Sequence, residues 1–232
     1  MENILAFGTS RAVVRRPTRG EQTHQEILQV AVDIASAEGL EGLSIGRLAQ
    51  ELKMSKSGLF AHFGSKEELQ LATLDMARSI FMTEVVEPAM LSERGLLRLQ
   101  AMLDSWLSYV ERSVFRGGCF FAAASAEFDD RPGPVRDQVA TLTKAWLDGL
   151  EDEARQAQAL SQLKAKCDPV LLAFQVHAFV QEANWAYRLL RDKESFNRAR
   201  AAIRQMLESA VTPKGLRVLS VNATSRKKAQ SK

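Results

Sequence analysis

The sequence predicts an all-α protein in two parts, a small N-terminal three-helix domain followed by a larger C-terminal helical domain. Three observations carry this expectation. Apolar residues recur at three- and four-residue spacing along most of the chain, Ser or Thr stands repeatedly where a helix would begin, and no convincing alternating run of strand length occurs. With 232 residues, 46% hydrophobic and 25% charged, the chain can bury a sizeable core and lacks the composition of a disordered polymer.

Residues 1–20 lack a periodic apolar pattern and contain Gly8, Pro17 and Gly20, so they read as a flexible basic arm carrying Arg11, Arg15, Arg16 and Arg19. A solvated segment and an arm reaching a minor groove both fit. Order is expected from Thr23, which with Glu26 has capping-box spacing, through Ile27, Ala31, Ile34 and Ala35 to Gly39. Ser44 caps a short second helix with Leu48, Ala49 and Leu52 inward, Ser55 a third through Leu59 to Phe63, and Ser65 opens a fourth.

Helices are then expected at 65–86, 92–113, 119–127, 134–156, 169–191 and 194–211. The breaks fall at Pro88, Gly117-Gly118, Asp129 to Pro134, and Asp168-Pro169, where Asp caps and Pro opens a helix. The domains expected are thus an arm (1–20), a helix-turn-helix domain (21–66), a ligand-binding and dimerisation domain (67–211) and a basic tail (212–232).

Charge is patterned. Residues 21–43 hold five acids and no Lys or Arg, residues 44–66 hold four bases against Glu51, and residues 212–232 hold six bases and no acid. The longest apolar run, Cys119 to Ala124, is far below a membrane span, and no apolar stretch follows the N-terminal arginines, so no membrane partner and a cytoplasmic location are expected. Cys119 and Cys167 lack metal-ligand spacing, and no cofactor is implied. HExxH, GxGxxG and GxxxxGK[ST] are absent, and the one GxSxG string, Gly42 to Gly46, has as its serine the helix cap Ser44, so no catalytic site is expected.

Residues 44–63, SIGRLAQELKMSKSGLFAHF, form two short helices joined across Lys53, Met54 and Ser55, a helix-turn-helix arrangement. Ser55, Lys56, Ser57 and Gly58 at the start of the second helix suit insertion of that end into a major groove. Taken alone, a packed helical corner without a DNA role fits the same pattern.

The stretch from His24 to Asp75 resembles the DNA-binding region of the TetR family, in the Ile-Leu of the first helix, Ser44, Leu48-Ala49, Leu59-Phe60-x-His62-Phe63 and Ser65-Lys66-Glu67-Glu68-Leu69. The segment GGCFFAAASAEFDDRPGP resembles a subset of the family's C-terminal domains. The resemblance implies phosphate contacts from Ser44, Phe60, His62 and Lys66, and base reading from Ile45, Gly46, Lys56, Ser57, Gly58 and Ala61, with Arg47 beside them. Phe60 stands where Tyr is usual and removes a hydroxyl contact, Gly46 offers no side chain to a base, and Lys53 replaces a frequent turn glycine. The function implied is that of a transcriptional regulator, a repressor released from a near-palindromic double-stranded operator by a small apolar effector. An activator, or a helical small-molecule-binding protein of the same fold, is the alternative.

Trp106, Tyr109, Val110, Phe121, Ser125, Trp146 and His177 are the candidate ligand lining, and each also fits an ordinary core position. Helix 169–191 is apolar on more than one side, and helix 194–211 has a clean stripe. As a pair they fit a homodimer interface using Phe179, Trp185, Phe196, Ile203, Met206 and Leu207, or packing inside one subunit.

Overall fold

Thr18 begins the described structure, because its hydroxyl accepts from Glu21 N at 3.3 Å while the Glu21 carboxylate accepts from Thr18 N at 2.6 Å. This capping box opens α1 (Arg19–Glu38) one turn earlier than the Thr23–Glu26 pair of the same spacing. Thr23 lies inside the helix, its hydroxyl donating to Arg19 O at 2.9 Å. The computed structural model describes residues 18–220; Arg11, Arg15 and Arg16 of the expected arm and the last twelve residues of the expected tail lie outside them.

Serine caps set the next elements. Ser44 accepts from Arg47 N at the start of α2 (Ile45–Leu52), Ser55 from Gly58 N at the start of α3 (Lys56–Phe63), and Ser65 from Glu68 N at the start of α4 (Lys66–Phe81). Lys53 takes the left-handed conformation between α2 and α3, with φ 54° and ψ 35°. A side chain there costs about 1 kcal/mol relative to glycine.

Pro88 does not end the fourth helix as expected. A π-helical stretch, Met82–Val86, precedes it, with Glu87 N–H donating to Met82 O, and α5 (Glu87–Met90) then carries the chain past the proline. The widened turn removes the α-helical register in which the pyrrolidine ring would strike a carbonyl. The remaining helices are α6 (Leu96–Glu111), α7 (Phe120–Phe128), α8 (Pro134–Ala159), α9 (Pro169–Leu189) and α10 (Ser195–Ala210). No strand occurs among the described residues, and one isolated bridge pairs Leu163 with Val211.

The chain divides into two compact units, and the division is discontinuous in sequence: residues up to Ile80 group with Ser113–Ala145, and Phe81–Arg112 with the chain from Trp146 onward. The linear boundary drawn at residue 66 therefore differs from the contacts. In the first unit, Ile27, Ala31, Val32, Ile34, Leu48, Leu59 and Leu69 are buried. The segment leading into α7 is fastened to the end of α1: Gly117 N donates to Ser36 Oγ at 3.2 Å, Arg116 pairs with Asp33 at 3.2 Å, and Glu127 accepts from Leu40 N and Glu41 N at 2.7 and 3.0 Å.

In the second unit, α9 packs against α6 and α10. Gly95 brings no side chain to cap α6, so buried Glu153 accepts from Gly95 N at 2.7 Å and Gln162 from Leu96 N at 2.9 Å. Arg94 bonds the same Glu153 and Asp152. Residues 213–220 are helical, although they fall within the expected tail. Thr212 and Lys214 donate to Ser161 O and Leu160 O at 2.7 and 2.9 Å, which satisfies carbonyls beyond the end of α8.

A β-carbon at position 117 would lie 1.4 Å from Ser36 O, a backbone atom that cannot be moved aside by a rotamer change, whereas one at position 20 would meet nothing within 4 Å. Gly117→Ala is therefore expected to lower the free energy of unfolding by about 2 kcal/mol or more. Gly20→Ala is expected to leave it unchanged or raise it by about 0.5 kcal/mol. Urea unfolding of the two variants checks this, and equal stability would refute the close approach.

Candidate nucleic-acid interface

Amphipathic partition positions the surface of α3. Leu59 and Phe63 turn inward and are buried, which leaves Lys56, Ser57, Phe60 and Ala61 exposed. Phe60 is 56% exposed, so this aromatic ring belongs to the surface and not to the core. Ser44, Ile45, Gly46, Arg47, Gly58 and His62 are half-buried, and Lys66 is exposed at the start of α4.

Three of these residues are already engaged in ways the sequence reading did not include. Arg47 is held in a fork, donating to Glu38 at 2.8 and 3.0 Å and to Glu51 at 2.7 Å. It braces α2 against the end of α1, and both carboxylates raise its pKa. Lys66 donates to Glu41 at 2.6 Å, and Glu41 also accepts from Gln70 at 3.3 Å. The Lys66 hydrogen bond is the main reason the Glu41 carboxyl sits below its ordinary range.

His62 lies beside His24 of α1, with ring centroids 5.9 Å apart, and His24 packs on Phe63 at 4.8 Å. Burial and then the neighbouring His62 lower the His24 pKa. Glu38, Glu41, Glu127 and Gln70 were not among the expected functional residues. The acid-only composition of residues 21–43 was the available signal for the first two, since the basic segment that follows needs partners.

Gly46 has a steric part in the same surface. A β-carbon there would stand 3.5 and 3.6 Å from Cε and Nζ of Lys56, so the lysine side chain lies over the glycine.

In the second unit, Trp106, Tyr109, Trp146 and His177 come together around Phe81, which the sequence reading passed over. Phe81 meets Tyr109 and Trp146 edge-on at 5.5 and 5.0 Å, Trp106 meets Trp146 at 5.2 Å, and His177 lies 5.5 Å from Trp106. Val110 is buried on α6 beside Tyr109. Phe121 and Ser125 belong to α7 and the other unit, where Phe121 packs on Phe120 at 5.7 Å. Burial lowers the His177 pKa.

The expected interface residues separate into two groups. Phe196, Ile203 and Leu207 are 1%, 6% and 4% exposed, and Phe196 stacks near Tyr187 at 5.1 Å. Their own chain covers them, so the clean stripe of α10 faces inward within one subunit. Phe179 and Met206 are half-buried, while Trp185 is exposed together with Leu171, Phe174 and Leu189 along α9. No helix among the described residues is long and apolar enough to cross a membrane, and no cluster of His, Cys, Asp and Glu able to hold a metal is found among them.

Residues 27–73 match the model for bacterial regulatory proteins of the tetR family, and residues 95–203 match the tetracyclin repressor-like C-terminal domain. The chain is 22% identical over 175 residues to the transcriptional regulator AcuR of Cereibacter sphaeroides, covering 71% of this chain and 80% of that one. It is 44% identical over 64 residues to the HTH-type transcriptional repressor DrrR1 of Streptomyces coeruleorubidus, a match spanning 26% of this chain and 24% of the other. The crystal structure of a TetR transcriptional regulator from Chloroflexus aurantiacus superposes with a TM-score of 0.77 at 23% identity, covering 83% of this chain and 97% of that one.

The lowered pKa values of His24 and His177 mean that the unfolded chain binds more protons than the folded one between each folded pKa and the ordinary value of about 6.5. Stability is thus full above about pH 6.5 and declines as pH falls through the folded pKa values. Urea unfolding at stepped pH is expected to show this decline, and His24→Gln with His177→Gln to flatten it; an unchanged slope would assign the acid sensitivity elsewhere.

Proposed function

The chain belongs to the TetR family of bacterial transcriptional regulators, and we propose that it acts as a homodimeric repressor that a small, largely apolar molecule releases from its operator. The observation that carries the reading is the outward surface of α3. Its core residues fix the helix through Leu59 and Phe63, while Lys56, Ser57, Phe60 and Ala61 face solvent at the end that a helix-turn-helix presents to a major groove. Ser44 caps α2 by accepting from Arg47 N, which leaves its hydroxyl proton for a phosphate oxygen. Lys66 would exchange Glu41 for phosphate on binding. Such an exchange preserves a charge-assisted hydrogen bond and weakens the dependence of affinity on that lysine.

For the dimer, the proposal rests on the exposed apolar residues Leu171, Phe174, Trp185 and Leu189, whose spacings of three, eleven and four residues put them on one face of α9. Two copies joined there by a two-fold axis would read half-sites one helical turn apart or a multiple of it, in the cytosol where operator DNA lies. The aromatic cluster of Trp106, Trp146, His177 and Phe81 supports a ligand site. Phe81 ends the helix that Lys66 begins, and Trp146 lies on the helix that continues from the other unit, so displacement at the cluster acts along two continuous helices. A typical coupling of about 1–3 kcal/mol gives a roughly 5- to 150-fold loss of operator affinity. Gene control, not catalysis, is the proposed role.

Fluorescence anisotropy with genomic operator fragments across a salt series tests the reading. Lys56→Ala is expected to change base preference, with discrimination falling by about 1–3 kcal/mol at one position. Lys66→Gln is expected to weaken all sequences alike and to flatten the salt slope by less than about 1, because its ion pair with Glu41 is lost as well. Leu189→Glu should sediment as a monomer with strongly reduced operator affinity. Absence of salt-dependent binding to any fragment would overturn the proposal, and a Leu189→Glu dimer would overturn its interface.

A further inference from the structure

We propose that the effector carries a neutral hydrogen-bond-accepting oxygen, of the ketone, ester or amide kind, and that the indole Nε1 groups of Trp106 and Trp146 receive it. The proposal rests on the ligand reading above and adds a chemical class to it. Both Nε1 atoms are shut off from solvent and have no hydrogen-bond partner. An indole nitrogen can only donate, so neither has an alternative role as an acceptor.

A buried donor left unpaired destabilises the fold, and folded proteins leave few such groups. Here two occur in one cluster, on rings whose centroids are 5.2 Å apart and which belong to different helices, α6 and α8. Chance misfit in one turn of one helix does not produce such a pair. The cost is recovered when an acceptor oxygen, with two lone pairs to offer, enters between or beside them.

The surroundings select a neutral acceptor. Phe81 lies edge-on to Trp146 at 5.0 Å, and His177 lies 5.5 Å from Trp106 with Gln181 Nε2 3.4 Å from its Nε2. Burial lowers the His177 pKa, so its imidazole is uncharged near neutral pH and supplies no cation. A carboxylate or phosphate entering this cluster would lose its hydration without gaining a counter-charge from these rings. A carbonyl loses far less and offers an acceptor to the unpaired N–H groups.

The test uses the full chain labelled with 15N at the tryptophan indoles and three probes of nearly one shape: acetophenone, its oxygen-free isostere α-methylstyrene, and benzoate. Trp106→Phe and Trp146→Phe identify the resonances, and the remaining indole signal is that of Trp185, which lies outside the cluster. Acetophenone is expected to move the Trp106 and Trp146 indole protons downfield, as new hydrogen bonds do, and to bind about fivefold more weakly to each Phe variant. α-Methylstyrene is expected to bind wild type and variants alike without the downfield movement. Equal behaviour of the two neutral probes would overturn the acceptor proposal while leaving an apolar ligand site standing. Stronger binding of benzoate would overturn its neutral character, and failure of all three to perturb either indole would overturn the proposal and the ligand site together. The wild-type spectra decide even where a Phe variant does not fold.

Discussion

Where the chain leaves α1 and turns toward α2, the amides of Leu40 and Glu41 have no place in a helical ladder, and the carboxylate of Glu127 takes both. Buried backbone donors must be bonded, and here the acceptor comes from a residue far along the chain. The rest of the first unit follows from that bond. It fixes the corner, the corner fixes Glu41, and Glu41 in turn holds Lys66 and Gln70 at the start of α4. Gly117, pressed against Ser36, holds the segment that brings α7 to this position.

The charge layout of the DNA-facing surface has the same origin. An acid-rich α1 and its following loop provide Glu38 for Arg47 and Glu41 for Lys66, so a local excess of positive charge does not amount to free cations. Exposed pairs of this kind contribute little to stability, about 0–1 kcal/mol each. Their effect is on geometry: Arg47 ties α2 to the end of α1, and Lys66 ties the start of α4 to Glu41. Lys56, lying across Gly46, is left as the principal basic group at the start of α3.

Local chemistry was legible in the sequence and distant chemistry was not. Ser44, Ser55 and Ser65 cap helices through atoms three residues away, so residue type and spacing suffice to find them. The same rule chose between Thr18–Glu21 and Thr23–Glu26 without enough information, because both pairs have the required spacing and only the earlier one lies at the end of the helix. Gly117-Gly118 was visible as a break, but the contact that requires Gly117 lies with Ser36, eighty-one residues earlier. The stripe Phe196, Ile203 and Leu207 announces a buried face and does not say whose side chains bury it; α10 turns it toward its own chain, while the less regular α9 exposes Phe174, Trp185 and Leu189. Trp106, Trp146 and His177 were named from residue type, yet Phe81, which joins them, was passed over at the end of a helix whose start alone carried recognisable motif residues.

The glycine at position 46 gives the reading helix a berth for Lys56. A methyl group there would touch the lysine at ordinary contact distance, 3.5 and 3.6 Å from its Cε and Nζ, so a longer side chain extending toward α3 would displace it. The direction in which the ammonium points is therefore governed from the neighbouring helix by a residue with no side chain of its own. Under the proposed function, a substitution at position 46 acts on operator choice by way of Lys56.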